Sequence, residues 1–380
     1  MRSSYITAAE IVSPLGIGLT ANFEQVKNGA SALRVHQSKA ARTEIFCSRI
    51  NEAQEQQYDA ILATEERLTK LEKMTLVTAK RLIDSTNFKP EDSRSLFILC
   101  TTKGNIDLLF QPESTIPENR ILFSESAGFM ARQLKFKNLP IVVSNACISG
   151  VEGILLGRQL IAAGVYDKAL VVAADLVTDF TISGFYSLKA YAKGRCRPFD
   201  QDRTGVNLGE CCAGVILNHE ADKDTDMKII AGISSNDANH MTAPSREAKG
   251  LTQAINHCLQ TVGEDKAPDF ISAHGTGTRY NDAMESKAFG QSGLETVPFF
   301  SLKGIYGHTL GAAGLVETVI SIAALRDNLL LPSVGFQKAG EDVQQQPITQ
   351  LKWSPMRRFL KTASGFGGGN ACLMVEKIRA

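Results

Sequence analysis

The sequence predicts an α/β fold, and three observations predict it. Short runs rich in Val and Ile alternate with longer amphipathic stretches. Several of the short runs are apolar on both faces, as expected of strands covered by helices on each side. A weak internal echo suggests that one α/β unit occurs twice.

The elements are expected in this order. A helix over 64–85 precedes a strand over 95–100 (SLFILC). A strand over 140–146 (PIVVSNA) feeds a helix over 148–163, which returns into a strand over 168–175 (KALVVAAD). Strands follow over 212–218 (CAGVILN) and 228–234 (KIIAGIS), then a helix over 248–262. A strand over 269–274 (DFISAH), a helix over 282–290 and a strand over 298–303 (PFFSLK) come next. A helix over 311–327 and a strand over 371–377 (ACLMVEK) close the list. The strand runs are short and β-branched, and the helix stretches carry the 3.6-residue period. Such alternation implies helices flanking mostly buried sheets.

The echo pairs residues 143–175 with 300–336. The first reads strand, small polar turn, Cys147, helix, Gly164, strand. The second reads strand, Gly304, Gly307, His308, Gly311-Ala312-Ala313-Gly314, helix, and a return through Leu329 to Pro332. Each half then closes on a Gly-rich turn feeding an apolar strand, at 209–215 and at 367–373. α/β proteins share this texture, so the echo alone leaves duplication open. The expected seam is the charged stretch His219 to Asp226, giving halves 1–220 and 227–380.

Composition narrows the function classes. The chain has 380 residues, with 41 Lys and Arg against 40 Asp and Glu, a formal net charge of +1. That balance argues against nucleic-acid binding but leaves room for a local basic patch. With 43% hydrophobic and 21% charged residues, a packed globular chain is expected. The eight cysteines show no C-x-x-C pair, and Glu10 interrupts any leader-like apolar stretch. No apolar run reaches a membrane span. A cytoplasmic enzyme with reduced thiols is the expectation.

One cysteine stands apart. Cys147 follows a β-type run ending in small residues and precedes a helix pattern at once. A thiol at such a turn is exposed as a nucleophile, and the helix N-terminus favours its thiolate. His274 ends a strand run and opens the loop Gly275-Thr276-Gly277-Thr278. Thr276 and Thr278 offer donors and acceptors to a polar ligand. His308 is framed by Gly307 and Gly311 and faces a helix start, which disfavours imidazolium. The histidines lack H-x-x-x-H spacing and a carboxylate ligand pattern, so no metal is expected. Lys303 can be a solvated strand-end lysine or can tune these histidines. Glu317 lies inside an apolar helix pattern and needs a partner, for which Lys303 is the obvious candidate. Ser364-Gly365-Phe366-Gly367-Gly368-Gly369-Asn370 can give N–H groups to an oxyanion, with Phe366 as a movable cover. It lacks Walker and Rossmann spacing.

Together, Cys147, His274 in His-Gly-Thr-Gly-Thr, His308 in Gly-His-Thr-Leu-Gly-Ala-Ala-Gly and the Gly-Phe-Gly-Gly-Gly-Asn loop resemble the β-ketoacyl-ACP synthases. Val12-Ser13-Pro14-Leu15-Gly16, Arg197-Pro198-Phe199-Asp200 with Gly209-Glu210, and Asp237 to Pro244 extend the likeness nearly end to end. The resemblance implies a thiolase-like fold: two pseudo-repeated halves in five α-β-α-β-α layers. It implies decarboxylative condensation of an acyl group on Cys147 with malonyl-ACP, with His274 and His308 acting on the malonyl thioester. It implies Lys303 and Glu317 as a supporting pair, Phe366 as a gate, and Thr242, Thr276 and Thr278 as contacts to the phosphopantetheine arm. Asp282 and Glu285 match positions of structural support or a bound cation. No cofactor, a homodimer or a heterodimer with a paralogue, and an acyl carrier protein partner are implied. Arg67, Lys70, Lys73, Lys193, Arg195 and Arg197 are candidates for docking that acidic partner.

The chain also departs from the pattern around Cys147, at Gly209-Glu210-Cys211-Cys212, and in Lys303-Gly304-Ile305-Tyr306-Gly307-His308. A specialised synthase of a polyene or pigment pathway therefore fits as well as a fatty-acid enzyme. Two other readings stand beside it. A chain-length-factor-like partner usually lacks the cysteine and often a histidine. A CoA-dependent thiolase typically has a second C-terminal cysteine where this chain has the Gly-Phe-Gly loop.

Overall fold

The computed structural model describes residues 2–223, 226–263 and 267–378. Asp224 and Thr225, within the expected seam, lie outside the described residues. Ten strands form the central framework. In chain order these are β1 Tyr5–Ser13, β2 Ser95–Cys100, β3 Ile141–Val143, β4 Lys168–Asp175 and β5 Cys211–Asn218. Then come β6 Met227–Asn236, β7 Phe270–Ser272, β8 Phe299–Phe300, β9 Arg358–Ser364 and β10 Gly369–Lys377. The helices that matter most are α1 Lys70–Asp84, α2 Ser149–Ala162, α3 Lys249–Val262, α4 Arg279–Gln291 and α5 Ala313–Asp327.

The duplication is visible in the topology. The first five strands lie in the order β3-β2-β4-β5-β1, and the second five in the order β8-β7-β9-β10-β6. Written by rank within each half, both orders are the same. The senses match too: the third-, second- and fourth-ranked strands are parallel neighbours, and the remaining pairings are antiparallel. The parallel return from the third to the fourth strand needs a crossover, and α2 and α5 supply it in the two halves. The two sets are not separate sheets. They join where Tyr5 and Ile6 pair with Lys228 and Met227, so one sheet runs through both halves.

Strand alternation builds the layers. On β5, Cys211, Ala213, Val215 and Leu217 enter a central core, whereas Cys212 and Ile216 face an outer one. On β10, Ala371, Leu373 and Val375 face the same central core, whereas Cys372 and Met374 face the opposite outer one. α2 and α5 fill the centre and touch strands of both halves. α5 is buried all round from Ala313 to Leu325, because strands of both halves enclose it. α1 covers one outer face, and α3 with α4 the other. This is the five-layer thiolase-like arrangement. No described helix is long and apolar enough to cross a membrane.

Several expected bounds change for physical reasons. The helix expected from 64 begins at Lys70, because Thr69 and Glu72 form a reciprocal capping box there. β3 covers only 141–143, because the chain leaves the ladder to make the turn before Cys147. β7 ends at Ser272, so His274 stands in the loop beyond it. β8 ends at Phe300, and Lys303 opens a single helical turn rather than ending a strand. β1 and β9 carry no sequence expectation. Each is interrupted by a charge, Glu10 and Lys361, whose counter-charges come from other elements: Arg81 for Glu10 at 2.9 Å and Glu317 for Lys361 at 2.7 Å. Helices over 19–27, 52–62, 123–133 and 179–187 also carry no expectation.

Candidate active site

Cys147 sits between β3 and α2, two residues before the helix begins. Ala146 before it has φ 43°, in the left-handed region, so the chain turns sharply there. His308 takes the matching place in the second half, between β8 and α5, although a short 3-10 turn separates it from the helix proper. Gly150 lets the entrances of α2 and α5 meet, since a Cβ there would lie 2.8 Å from the Leu315 backbone nitrogen. The duplication axis therefore passes beside the chemistry. His308 Nε2 lies 2.9 Å from Cys147 Sγ.

His274 is placed by its loop. Glu285, on α4, accepts the N–H groups of His274 at 2.7 Å and Gly275 at 2.8 Å. Asp282, one turn earlier, accepts those of Thr276 at 2.9 Å and Gly277 at 3.1 Å. These two carboxylates hold the loop by its backbone. The His274 and His308 rings stand 5.3 Å apart at 83°. One ligating atom from each of Cys147, His274 and His308 lies within 4.8 Å of the others. A thiol and two imidazoles this close are also a donor set for a soft dication. The ammonium of Lys303 directly behind them opposes such a charge.

Lys303 and Glu317 meet as the sequence suggested, at 2.5 Å, with Lys303 fully buried. The Lys303 ammonium also reaches His274 O at 2.6 Å and His274 Nδ1 at 3.2 Å. Three acceptors use all three of its hydrogens. An imidazole accepting at Nδ1 carries its own hydrogen on Nε2, so His274 is set as a neutral Nε2–H donor.

The electrostatics correct one expectation. Burial pushes the Cys147 thiol up to about 11, against the pull of Lys303, so the resting group is a thiol and not a thiolate. The helix N-terminus does not offset full desolvation. Both imidazoles are held well below the ordinary histidine value, first by burial and then by the Lys303 and Lys361 ammoniums. His308 is thus neutral, as expected, but for these reasons rather than a helix dipole. A neutral imidazole touching a neutral thiol can take its proton as the sulfur attacks.

A cleft of about 570 Å³ runs from Cys147 to the surface and is lined by Phe366, Thr242, Thr276 and Thr278. The Phe366 N–H points at Cys147 Sγ, and its ring stacks on Phe185 with centroids 5.7 Å apart. The Thr276 and Thr278 hydroxyls bond each other at 2.9 Å, while Thr242 is exposed at the mouth. The candidate docking residues divide. Lys70 pairs with Glu210 at 2.8 Å, Lys73 with Asp59 at 2.7 Å and Arg197 with Asp200 at 3.0 Å, and Arg67 bonds the Thr115 hydroxyl. Lys193 and Arg195 are exposed, and Lys193 lines the cleft with Lys189 and Arg279, which the sequence did not single out.

Two further residues escaped sequence reasoning. Asp175, buried at the end of β4, accepts from the hydroxyls of Thr101 at 2.9 Å and Thr102 at 2.8 Å, and from Gly311 N–H at 2.7 Å. It ties the loop after His308 to the first half. A carboxylate ending the apolar run 168–175 was its only signal. Lys361, fully buried on β9, reaches the free oxygen of Glu317 at 2.7 Å.

Known proteins share part of this sequence and its fold. The 3-oxoacyl-[acyl-carrier-protein] synthase 2 of Coxiella burnetii is 30% identical over 68% of this chain, and that of Vibrio cholerae is 31% identical over 66%. The matched stretch is 66% of the length of each relative. A chain from the complex of a ketosynthase with its chain length factor, from Xenorhabdus doucetiae, superposes with a TM-score of 0.84 at 26% identity. It covers 99% of this chain and 98% of that one. A β-ketoacyl synthase from Burkholderia phymatum shares the fold, with a TM-score of 0.85 at 20% identity over the full length of both chains. Residues 5–223 match the family described as Beta-ketoacyl synthase, N-terminal domain, and residues 228–337 match Beta-ketoacyl synthase, C-terminal domain. With these two matches together spanning most of the chain and Cys147 lying in the first, the chain belongs to the β-ketoacyl synthase family.

Proposed function

We propose that this protein is an acyltransferase, a β-ketoacyl-ACP synthase that elongates an acyl chain by decarboxylative Claisen condensation. The observation that carries the reading is the contact between Cys147 Sγ and His308 Nε2 at 2.9 Å, beside a His274 held as an Nε2–H donor. In the first half-reaction Cys147 sulfur attacks the acyl thioester and its proton passes to His308. The carrier thiolate leaves and takes that proton. The Cys147 and Phe366 N–H groups stabilise the oxyanion, each such donor contributing roughly 3 kcal/mol. In the second, once the sulfur is acylated the His308 proton moves from Nδ1 to Nε2, and malonyl-ACP binds with its thioester oxygen against the Nε2–H groups of His274 and His308. The bond to the carboxylate breaks, CO2 leaves, and the electron pair becomes an enolate held by the two imidazoles. The enolate carbon attacks the Cys147 thioester, a C–C bond forms, and the sulfur leaves as a thiolate that takes up one proton from solvent. The donor set needs no cofactor or metal for these steps.

Thr276 and Thr278, with Thr242 at the mouth, suit the amides of a phosphopantetheine arm. Lys193, with Lys189 and Arg279, suits the acidic carrier. The carrier partnership is supported by the names of the relatives. A homodimer or a pairing with a paralogue is supported by the neighbour solved with its chain length factor. All three reactive side chains are in place, which favours an elongating subunit over a chain-length-factor role. The halves 1–220 and 227–380 act as one unit, with each half supplying part of the site, in the cytoplasm.

The test is incubation of the protein with acyl-ACP and malonyl-ACP, with mass spectrometry of the carrier-bound product. A β-ketoacyl-ACP two carbons longer is expected, and malonyl-independent condensation of acetyl-CoA would overturn the reading in favour of a thiolase. Phe366 carries a second prediction. Because Phe366 lines the cleft with Cys147 and its ring stacks on Phe185, Phe366→Trp is expected to slow acyl loading of Cys147 by about ten-fold through crowding of the entry path. Rapid-quench loading at the wild-type rate would remove it as a gate.

A further inference from the structure

The first four charges behind the histidines have a simple sum. Glu317 and Glu285 are buried carboxylates, and Lys303 and Lys361 are buried ammoniums. Lys303 takes one oxygen of Glu317, at 2.5 Å, and Lys361 takes the other, at 2.7 Å. Lys361 also donates to Ser272 O at 3.0 Å and Thr362 O at 2.5 Å. Two carbonyls accept from Lys361 and a carboxylate oxygen of Glu317 lies 2.7 Å away as an ion pair, which holds Lys361 as an ammonium although burial lowers its proton affinity. Thr362 next to it donates its hydroxyl to Glu285 at 2.6 Å, and Glu285 in turn holds the His274 N–H. With both lysines the set sums to zero. Without Lys361 it would carry one net negative charge directly behind two imidazoles that must remain neutral donors.

We propose that Lys361 is a positioning residue of the condensation: its ammonium balances Glu317 and Glu285, so that the charge set behind His274 and His308 is neutral while Lys303 stays committed to His274 Nδ1. The inference rests on malonyl decarboxylation being the reaction of this site. The groups facing His274 are Lys303 from the helical turn, Lys361 from β9, Glu317 from α5, Glu285 from α4, and His308 and Cys147 across the cleft. Every buried cation near an imidazole lowers its proton affinity, and an unbalanced carboxylate raises it. Lys361 touches neither substrate nor the reacting sulfur. It acts through Glu317 and the position of Lys303.

The test compares wild type with Lys361→Met and with Lys361→Gln, which keeps a donor toward the Ser272 and Thr362 carbonyls. The release of CO2 from malonyl-ACP is measured across pH. In both variants the acid limb, where the imidazoles protonate, is expected to move upward by about one pH unit, with an approximately ten-fold loss on that limb and a smaller loss at alkaline pH. A uniform loss at all pH values, with the limb in place, would make Lys361 merely structural and overturn the proposal. The second readout needs no turnover. NMR of histidine-labelled protein, with the resonance identified by His274→Gln, should show His274 titrating at higher pH in the folded Lys361 variants than in wild type. The same titration in both overturns the role of Lys361. A wild type that releases no CO2 while His274 shifts as described would instead overturn the reading of the reaction and leave the charge balance standing.

Discussion

Cys147→Ala should abolish loading of a radiolabelled acyl group from acyl-ACP, while the protein stays folded. Cys147 is small and lines an open cleft, so alanine leaves little void. Loss of the nucleophile is expected to cost at least about a thousand-fold in loading rate. The remaining cysteines offer no substitute. All eight are buried, but only Cys147 lines the cleft and touches an imidazole. The burial that pushes the Cys147 thiol up to about 11 also makes the pH dependence specific. A group raised in this way is protonated at neutral pH and becomes a free thiolate only as pH rises toward that value. Loading assisted by His308 should therefore be nearly flat around neutrality. His308→Ala should be slower there, and its loading should climb with alkalinity as hydroxide replaces the lost base. Equal loading of Cys147→Ala and wild type would end the assignment of the nucleophile.

The second large effect separates the two histidines. His274→Ala should suppress CO2 release from malonyl-ACP by about a hundred-fold or more, because the enolate oxygen loses a preorganised donor in a buried site. Acyl loading of Cys147 should remain measurable, since His274 does not contact the sulfur in the way His308 does. His308→Ala, by contrast, should impair both half-reactions, with decarboxylation abolished and loading slowed but detectable. Measuring loading and CO2 release in parallel on both variants distinguishes the roles. Unchanged decarboxylation in His274→Ala would remove it as an enolate donor, and Lys303 would then have to be read as supporting the loop alone.

The near-neutral charge of the chain proved compatible with strong local fields, because its charges are sorted by depth. Two lysines and two carboxylates that sum to zero sit behind the imidazoles, both lysines on Glu317, while Lys189, Lys193 and Arg279 stand at the mouth. Asp175 belongs to the same logic. Its carboxylate is spent on hydroxyl and N–H donors that fasten the His308 loop to the other half. Burial raises its proton affinity, and those donors oppose the rise.

The pattern of apolar runs determined by itself that strands alternate with helices, and eight of the ten framework strands follow from it. Glycine spacing around Cys147, His274 and His308 marked all three reactive residues, because backbone that turns sharply beside a reacting atom needs small residues in a recognisable pattern. Lys361 and Glu10 were different. A charge inside a strand reads locally as a break, and only the packing of distant elements reveals the counter-charge that makes it tolerable. For Lys361 that counter-charge is contributed from α5, 44 residues earlier in the chain. The protonation state of Cys147 was also decided by tertiary structure alone. A helix start favours the thiolate along the chain, but desolvation depends on everything packed around the sulfur, and here it prevails. Local sequence determined which groups could react, while the three-dimensional packing of the two halves decided their charge.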